Sequence, residues 1–180
     1  MSRLTQITDA DAAPKAAALF SAIKSKIGMV PNLYRVMGNA PSVLAAALGF
    51  NDALGKGSFD QKTREAIALT VAGKNSCDYC ASAHWAISQN LKVGEAELAA
   101  RLQGKSADPK LNAILRFASA VVEKRGLVSD EDLAAARNAG LSEGEIVETV
   151  GVAVANILTN YINHVAETDI DFPVVRAQAA

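Results

Sequence analysis

"REAIALTVAGKNSCDYCASAHW" spans residues 64–85 and holds both cysteines of the chain, one of its two histidines and its only tryptophan. The stretch reads as two helices. "REAIALTVAG" is apolar on every side from Ala66 to Ala72, which predicts a helix buried all round, capped by Asp60 and running over about 61–74. Ser76 is the expected cap of a second helix reaching about Leu91, with Cys77 as its first residue and Cys80 closing its first turn. At about 100° per residue, Cys77, Cys80 and His84 fall within roughly 60° of one another, in the sector shared by Ile87 and Leu91. The thiols and the imidazole therefore face the packed side. Trp85 falls outside that sector and reads as packing or interface.

Outward from this stretch, helical signals dominate and strand signals are nearly absent. "DADAAPKAAALFSAIKSKIG" predicts a first helix with an acidic start, a basic end and a stop at Gly28. A short helical turn follows Pro31, and a helix opened by Pro41 closes near Gly55 or Gly57. Gly94 to Leu102 forms a short helix. Asp108 and Pro109 open another that Gly126 stops. Ser129 opens the next, and Ser142 the last long one, to about Glu167. The tail over 168–180 is expected to be extended. Short loops without low-complexity linkers argue for an all-α helical bundle in a single domain over 1–180, with its core motif at about 60–91.

The composition narrows the function classes. Of the 180 residues 50% are hydrophobic, enough for a proper core, and the formal net charge of −1 without a Lys/Arg run gives no support to a nucleic-acid or anionic-membrane surface. The opening "MSRLTQITDADAAP" lacks the apolar core of a secretory signal, and "TVGVAVANILTNY" is too short and too polar to span a bilayer. The expectation is a soluble cytoplasmic protein. In a reducing compartment two cysteines point to a redox or metal pair rather than a structural disulfide.

The spacing carries the chemistry. Residues three apart on a helix lie roughly 5 Å apart, inside the ~4.4–6.8 Å window of a disulfide, so the pair can open and close with little backbone movement. A free thiol has a pKa of ~8.5, and lowering it by ~1.5 units takes ~2 kcal/mol. A helix N-terminus contributes ~0.3–1 kcal/mol, and a histidine one turn beyond Cys80 supplies the remainder. Glu65, on the face of Ala68, Leu69 and Ala72, needs a partner once buried. Glu65–His84–Cys80 thus reads as a proton path, the carboxylate orienting the imidazole and the imidazole taking the thiol proton.

Glu65, eleven residues, then "CDYCASAH" resembles the Glu-x11-Cys-x-x-Cys-x-x-x-His signature of the AhpD-like alkyl hydroperoxidases, in the carboxymuconolactone decarboxylase superfamily. From "GMVPNLYRVMGNAP" to "NILTNYINHVAETDIDFP" the chain is similar to the peroxidase-related branch. The resemblance implies an AhpD-like all-α fold, a homo-oligomer (trimer or hexamer), and thiol peroxidase and disulfide-reductase chemistry in antioxidant defence, with no metal or cofactor beyond the redox-active disulfide. It implies that Cys80 is the peroxidatic thiol, that Cys77 resolves it and then accepts electrons from a lipoyl or thioredoxin-like dithiol, and that Glu65 and His84 relay protons. One departure stands out. The best-known members carry a histidine just before the second cysteine, where this chain has Tyr79, a poor proton shuttle near neutral pH. Helix position alone favours Cys77 as nucleophile. The histidine and the family pattern favour Cys80, which leaves Cys77 as the more exposed exchange partner.

Rival readings remain for each residue. The cysteines could be small buried hydrophobes, Glu65 an ion-paired buried acid, or Cys77, Cys80, His84 and Glu65 together a zinc site. A lyase like the superfamily's namesake decarboxylase, which generally lacks the cysteine pair, and a non-catalytic redox sensor are the alternatives for the whole chain. Asn156, Asn160 and His164 recur every four residues on the last helix, either lining the site or bonding helices or subunits together. Tyr34, Met37 and Phe50 are candidate pocket residues.

Overall fold

The computed structural model describes residues 2–177. Among them no strand occurs, and nine helices follow in chain order: α1 Pro14–Ile27, α2 Asn32–Met37, α3 Pro41–Leu54, α4 Gln61–Lys74, α5 Asp78–Asn90, α6 Glu95–Leu102, α7 Pro109–Glu123, α8 Asp130–Asn138 and α9 Glu143–Ala166. The all-α class read from the sequence is what the chain adopts. None of the helices is long and apolar enough to cross a membrane.

The stop and start signals act as their chemistry dictates. Asp60 accepts from the Thr63 amide at 2.8 Å and Asp108 from the Leu111 amide at 2.7 Å. Ser129 with Asp132, and Ser142 with Glu145, form reciprocal capping boxes at α8 and α9. Two boundaries differ from expectation. The acids Asp9 and Asp11 stand before α1, which begins at Pro14 with no acid in its first turn, because Asp11 is held in a local turn by Thr8. Gly126 closes the turn beyond α7 rather than the helix itself, its amide reaching the Val121 carbonyl at 2.8 Å.

α4 is the axis of the fold. Every residue from Ala66 to Gly73 is buried, as an all-round apolar helix requires, and the helix packs against α5, α6, α7 and α9. One apolar cluster joins Ala66, Ile67 and Val71 to α7, α8 and α9. A second joins Ala72 to α1, α2, α3 and the start of α5, and both cysteines lie in it. The outer face of α9 is apolar and open to solvent, with Val147, Val154, Tyr161 and Val165 between 47% and 70% exposed.

The last described residues, 168–177, run irregularly across α2 and α5. Asp171 accepts from the Tyr79 hydroxyl and from the Asn32 amide, each at 2.8 Å. The Val175 amide donates to the Ser82 hydroxyl at 2.9 Å, and the Ala177 amide to Asp78 at 2.9 Å. Arg176 pairs with the same Asp78 carboxylate at 2.6 Å. The expected extended tail is therefore a strap pinned across the first turns of α5; residues 178–180 lie outside the described residues.

The approach of α6 to α4 depends on one missing side chain. A Cβ on Gly73 would sit 1.9 Å from the Leu102 carbonyl oxygen, a backbone atom that cannot step aside. Gly73→Ala is expected to lower stability by ~3 kcal/mol, at the upper end for overpacking, in urea unfolding. Gly49→Ala, in mid-α3 with nothing within 4 Å of its Cβ, is expected to raise it by ~0.5–1 kcal/mol. Equal effects at the two positions would contradict the close α4–α6 contact.

Candidate active site

The site forms where α4 ends and α5 begins. α4 finishes in a double backbone closure: the Ser76 amide reaches the Gly73 carbonyl at 3.2 Å and the Cys77 amide the Ala72 carbonyl at 2.9 Å. That closure needs a left-handed residue, and Ser76 takes the role at φ 56°. Ser76 is consequently not the cap of α5. Cys77 is, at φ −96° and ψ 94°, and α5 starts at Asp78. Cys77 makes no side-chain cap bond, so its sulfur is free to turn toward Cys80.

Both cysteines are free thiols. Their acidities are pushed in opposite directions. The pKa of Cys80 is lowered below the ordinary thiol range, first by Cys77, against the opposing effect of burial, and then by the polar groups of Asn163, Asn160 and Thr159 on α9. Cys77 is raised, first because it donates to Cys80, then by burial and by the charge on Cys80. The two thiols are thereby inequivalent, Cys80 the more acidic of the pair. Asn163 Nδ2 donates to the Cys80 sulfur at 3.2 Å.

Glu65 and His84 meet as their spacing suggests, His84 Nδ1 lying 2.7 Å from Glu65 Oε2. Burial opposes the imidazolium, but the Glu65 charge and hydrogen bond, the Cys77 charge and Asn156 together raise His84 above its ordinary value. Among the described residues no hydrogen bond joins His84 to either cysteine; its charge acts on Cys77, and Asn163 of α9 bonds Cys80. No group of three or more His, Cys, Asp or Glu side chains among the described residues is arranged to hold a metal ion.

Other placements correct the reading of the sequence. Cys77 is not the more exposed thiol: it is 1% and Cys80 2% exposed, because α1, α2, α3 and Ala177 of the strap share their cluster. Tyr79 is not in the proton path. Its hydroxyl accepts from the Leu33 amide at 3.1 Å and donates to Asp171, and its ring stands edge-on to Phe172, 5.8 Å between centroids. Burial pushes its acidity well beyond the physiological range, so it stays a protonated structural anchor. On α9 the polar face turns through Asn156, Asn160 and Asn163, whereas His164 is exposed. Asn163 was missed because a strict four-residue step drifts off a 3.6-residue helix; a 4, 3 step would have found it.

Of the candidate pocket residues, Met37 is buried in the cluster of the thiols and Phe50 is 38% exposed on α3. Tyr34 packs against that cluster, its acidity lowered by burial and by the charges of Glu65 and Cys80. On its other side it lines a cavity of about 460 Å³ with Ile23, Leu48 and Arg64. A larger cavity, about 990 Å³ along α7 and α8, touches none of Glu65, Cys77, Cys80 or His84.

With this geometry in view, residues 41–124 match the model of the carboxymuconolactone decarboxylase family. No curated protein matches the chain. Solved structures do. A peroxidase-related protein of Ralstonia eutropha JMP134, described as an alkylhydroperoxidase AhpD core, is 22% identical, with a TM-score of 0.83 over 94% of this chain and 92% of that one. A peroxidase-related protein of Silicibacter sp. TM1040 is 21% identical, with a TM-score of 0.81 over 93% and 91%. The debrominase Bmp8, solved with 2,3,4-tribromopyrrole, is 20% identical, with a TM-score of 0.78 over 93% and 91%. At these identities the structures share the fold.

The opposed acidities give a pH test. Only the thiolate is alkylated, and an ordinary thiol titrates at ~8.5. With Cys80 lowered and Cys77 raised, falling pH extinguishes Cys77 reactivity first, and Cys80 keeps reacting until pH drops through its own depressed value. Limited iodoacetamide treatment at neutral pH, mapped by peptide mass spectrometry, is expected to label Cys80 at least ~10-fold over Cys77, the ratio one pKa unit of difference gives. Preferential labelling of Cys77 would contradict the assignment.

Proposed function

From the match of residues 41–124 to the carboxymuconolactone decarboxylase family model and the AhpD-like fold, we propose a thiol-dependent peroxidase that reduces hydroperoxides by cycling Cys77 and Cys80. The observation that carries this reading is the setting of Cys80, a buried thiol bonded by Asn163 Nδ2 at 3.2 Å and one turn from Cys77, with the Glu65–His84 pair closed at 2.7 Å across α4 and α5. The Cys80 thiolate attacks the terminal oxygen of a hydroperoxide; an S–O bond forms, the O–O bond breaks, and the alkoxide takes a proton to leave as an alcohol. Cys77 then attacks the sulfenic sulfur, water departs, and a disulfide remains. His84, held charged by Glu65, supplies the proton that the alkoxide takes; the neutral imidazole then accepts the proton that Cys77 loses and passes it to the departing hydroxide. A lipoyl or thioredoxin-like dithiol returns two electrons by exchange.

Burial of both thiols fits a small first substrate. The open apolar face of α9 supports assembly into a homo-oligomer. A cytoplasmic location fits a dithiol that must be kept reduced. A dithiol with two electrons to give could also remove halogen from an aromatic ring. The debrominase of the same fold favours testing that second reading with 2,3,4-tribromopyrrole as substrate.

Hydroperoxide consumption with a dithiol reductant tests the reading. Cys80→Ser is expected to lose activity by ~1000-fold or more, as for removal of a nucleophile. Cys77→Ser is expected to consume one equivalent and stop as a sulfenic acid that dimedone traps. Full turnover by Cys80→Ser would overturn the proposal. Bromide release from tribromopyrrole without hydroperoxide consumption would replace it with the dehalogenase reading.

A further inference from the structure

Two buried polar atoms beside Cys80 are left without hydrogen-bond partners: Asn160 Nδ2, a donor, and Asn163 Oδ1, an acceptor. Asn160 is 0% and Asn163 4% exposed. An unmet buried donor or acceptor costs ~1–3 kcal/mol, so two of them flanking one sulfur call for an explanation. Their orientation is built in. Asn160 Oδ1 accepts from Asn75 Nδ2 at 2.9 Å, which fixes the amide and leaves its NH2 unpaired. Asn163 Nδ2 is spent on the Cys80 sulfur at 3.2 Å, which leaves its oxygen alongside. Asn75 sits at the end of α4, on the closure that delivers Cys77.

A hydroperoxide carries one O–H to give and oxygens that must accept as the O–O bond breaks. On the thiol peroxidase reading above, on which this rests, we propose that Asn160 and Asn163 form the hydroperoxide-recognition pair of this chain, with Asn75 as the residue that positions Asn160. Asn163 Oδ1 accepts the hydroperoxide O–H. The free N–H of Asn160 donates to the oxygen that leaves as the sulfur is oxidised, and the alkoxide formed there is then protonated. This is preorganised stabilisation of developing charge, set in a site from which water is excluded. The polar face of α9 thereby acquires a role that its sequence alone did not assign.

The test compares two electrophiles on the same thiolate. Hydroperoxide expels an oxygen that needs the donor, whereas iodoacetamide expels iodide, which does not. Rates measured against pH give the Cys80 pKa and the pH-independent rate constant for each reagent. Asn160→Ala is expected to lower the hydroperoxide constant ~100-fold, the effect of losing one such donor, and the iodoacetamide constant less than about threefold. Asn75→Ala, which touches neither reagent and keeps the test open should Asn160→Ala fail to fold, is expected to lower the hydroperoxide constant ~10-fold. Equal loss with both reagents, or no loss with hydroperoxide, overturns the recognition pair. Failure of the peroxidase reading is separate: it is seen in the wild type alone, as a hydroperoxide constant no greater than that of free cysteine.

Discussion

The site depends on how α4 stops. Its terminal closure consumes the amides of Ser76 and Cys77, forces Ser76 into the left-handed region, and hands the next extended residue, Cys77, to α5 as its cap. Cys77 thus belongs to two helices at once, and Cys80 is reached one turn later on a path that allows no slack. With the joint fixed, the two thiols stand one turn apart in different surroundings, and their opposed acidities follow. A looser connection would leave two equivalent cysteines competing for one proton.

Around that joint the helices divide the work. α4 carries Glu65 at its buried start and Asn75 at its end, so one rigid element sets both the carboxylate that charges His84 and the amide that fixes Asn160. α9 contributes neutral donors instead of a second imidazole. Amide donors stabilise the thiolate without adding a further titrating group to the pair. Tyr79, just before the second cysteine, serves architecture instead, holding Leu33 and Asp171.

Much of this was legible in the sequence wherever the cause is local. The all-round apolar run from Ala66 to Ala72 foretold a buried helix, and Asp60, Asp108, Ser129 and Ser142 marked helix starts because their side-chain oxygens reach amides two or three residues on. The eighteen residues between Glu65 and His84 were bridged by a buried acid's need for a partner. Ser76 misled for a physical reason: serine caps helices well, but the closure of the preceding helix claimed its backbone first. The contact of Asn163 with Cys80 spans 83 positions, and no periodicity carries information over that distance. The burial of Cys77 was hidden for the same reason, since α1, α2, α3 and residue 177 provide it.

The two residues between the cysteines, Asp78 and Tyr79, are both committed to holding the strap: Asp78 through Arg176 and the Ala177 amide, Tyr79 through Asp171. In an open Cys-x-x-Cys turn such side chains would be free to meet a visiting macromolecule. Here the dithiol lies beneath its own chain's closing segment, and that segment is bolted to the spacer inside the motif. A fusion, tag or cleavage that disturbs residues 168–177 is therefore not remote from the chemistry. It pulls on the very turn that bears the thiols.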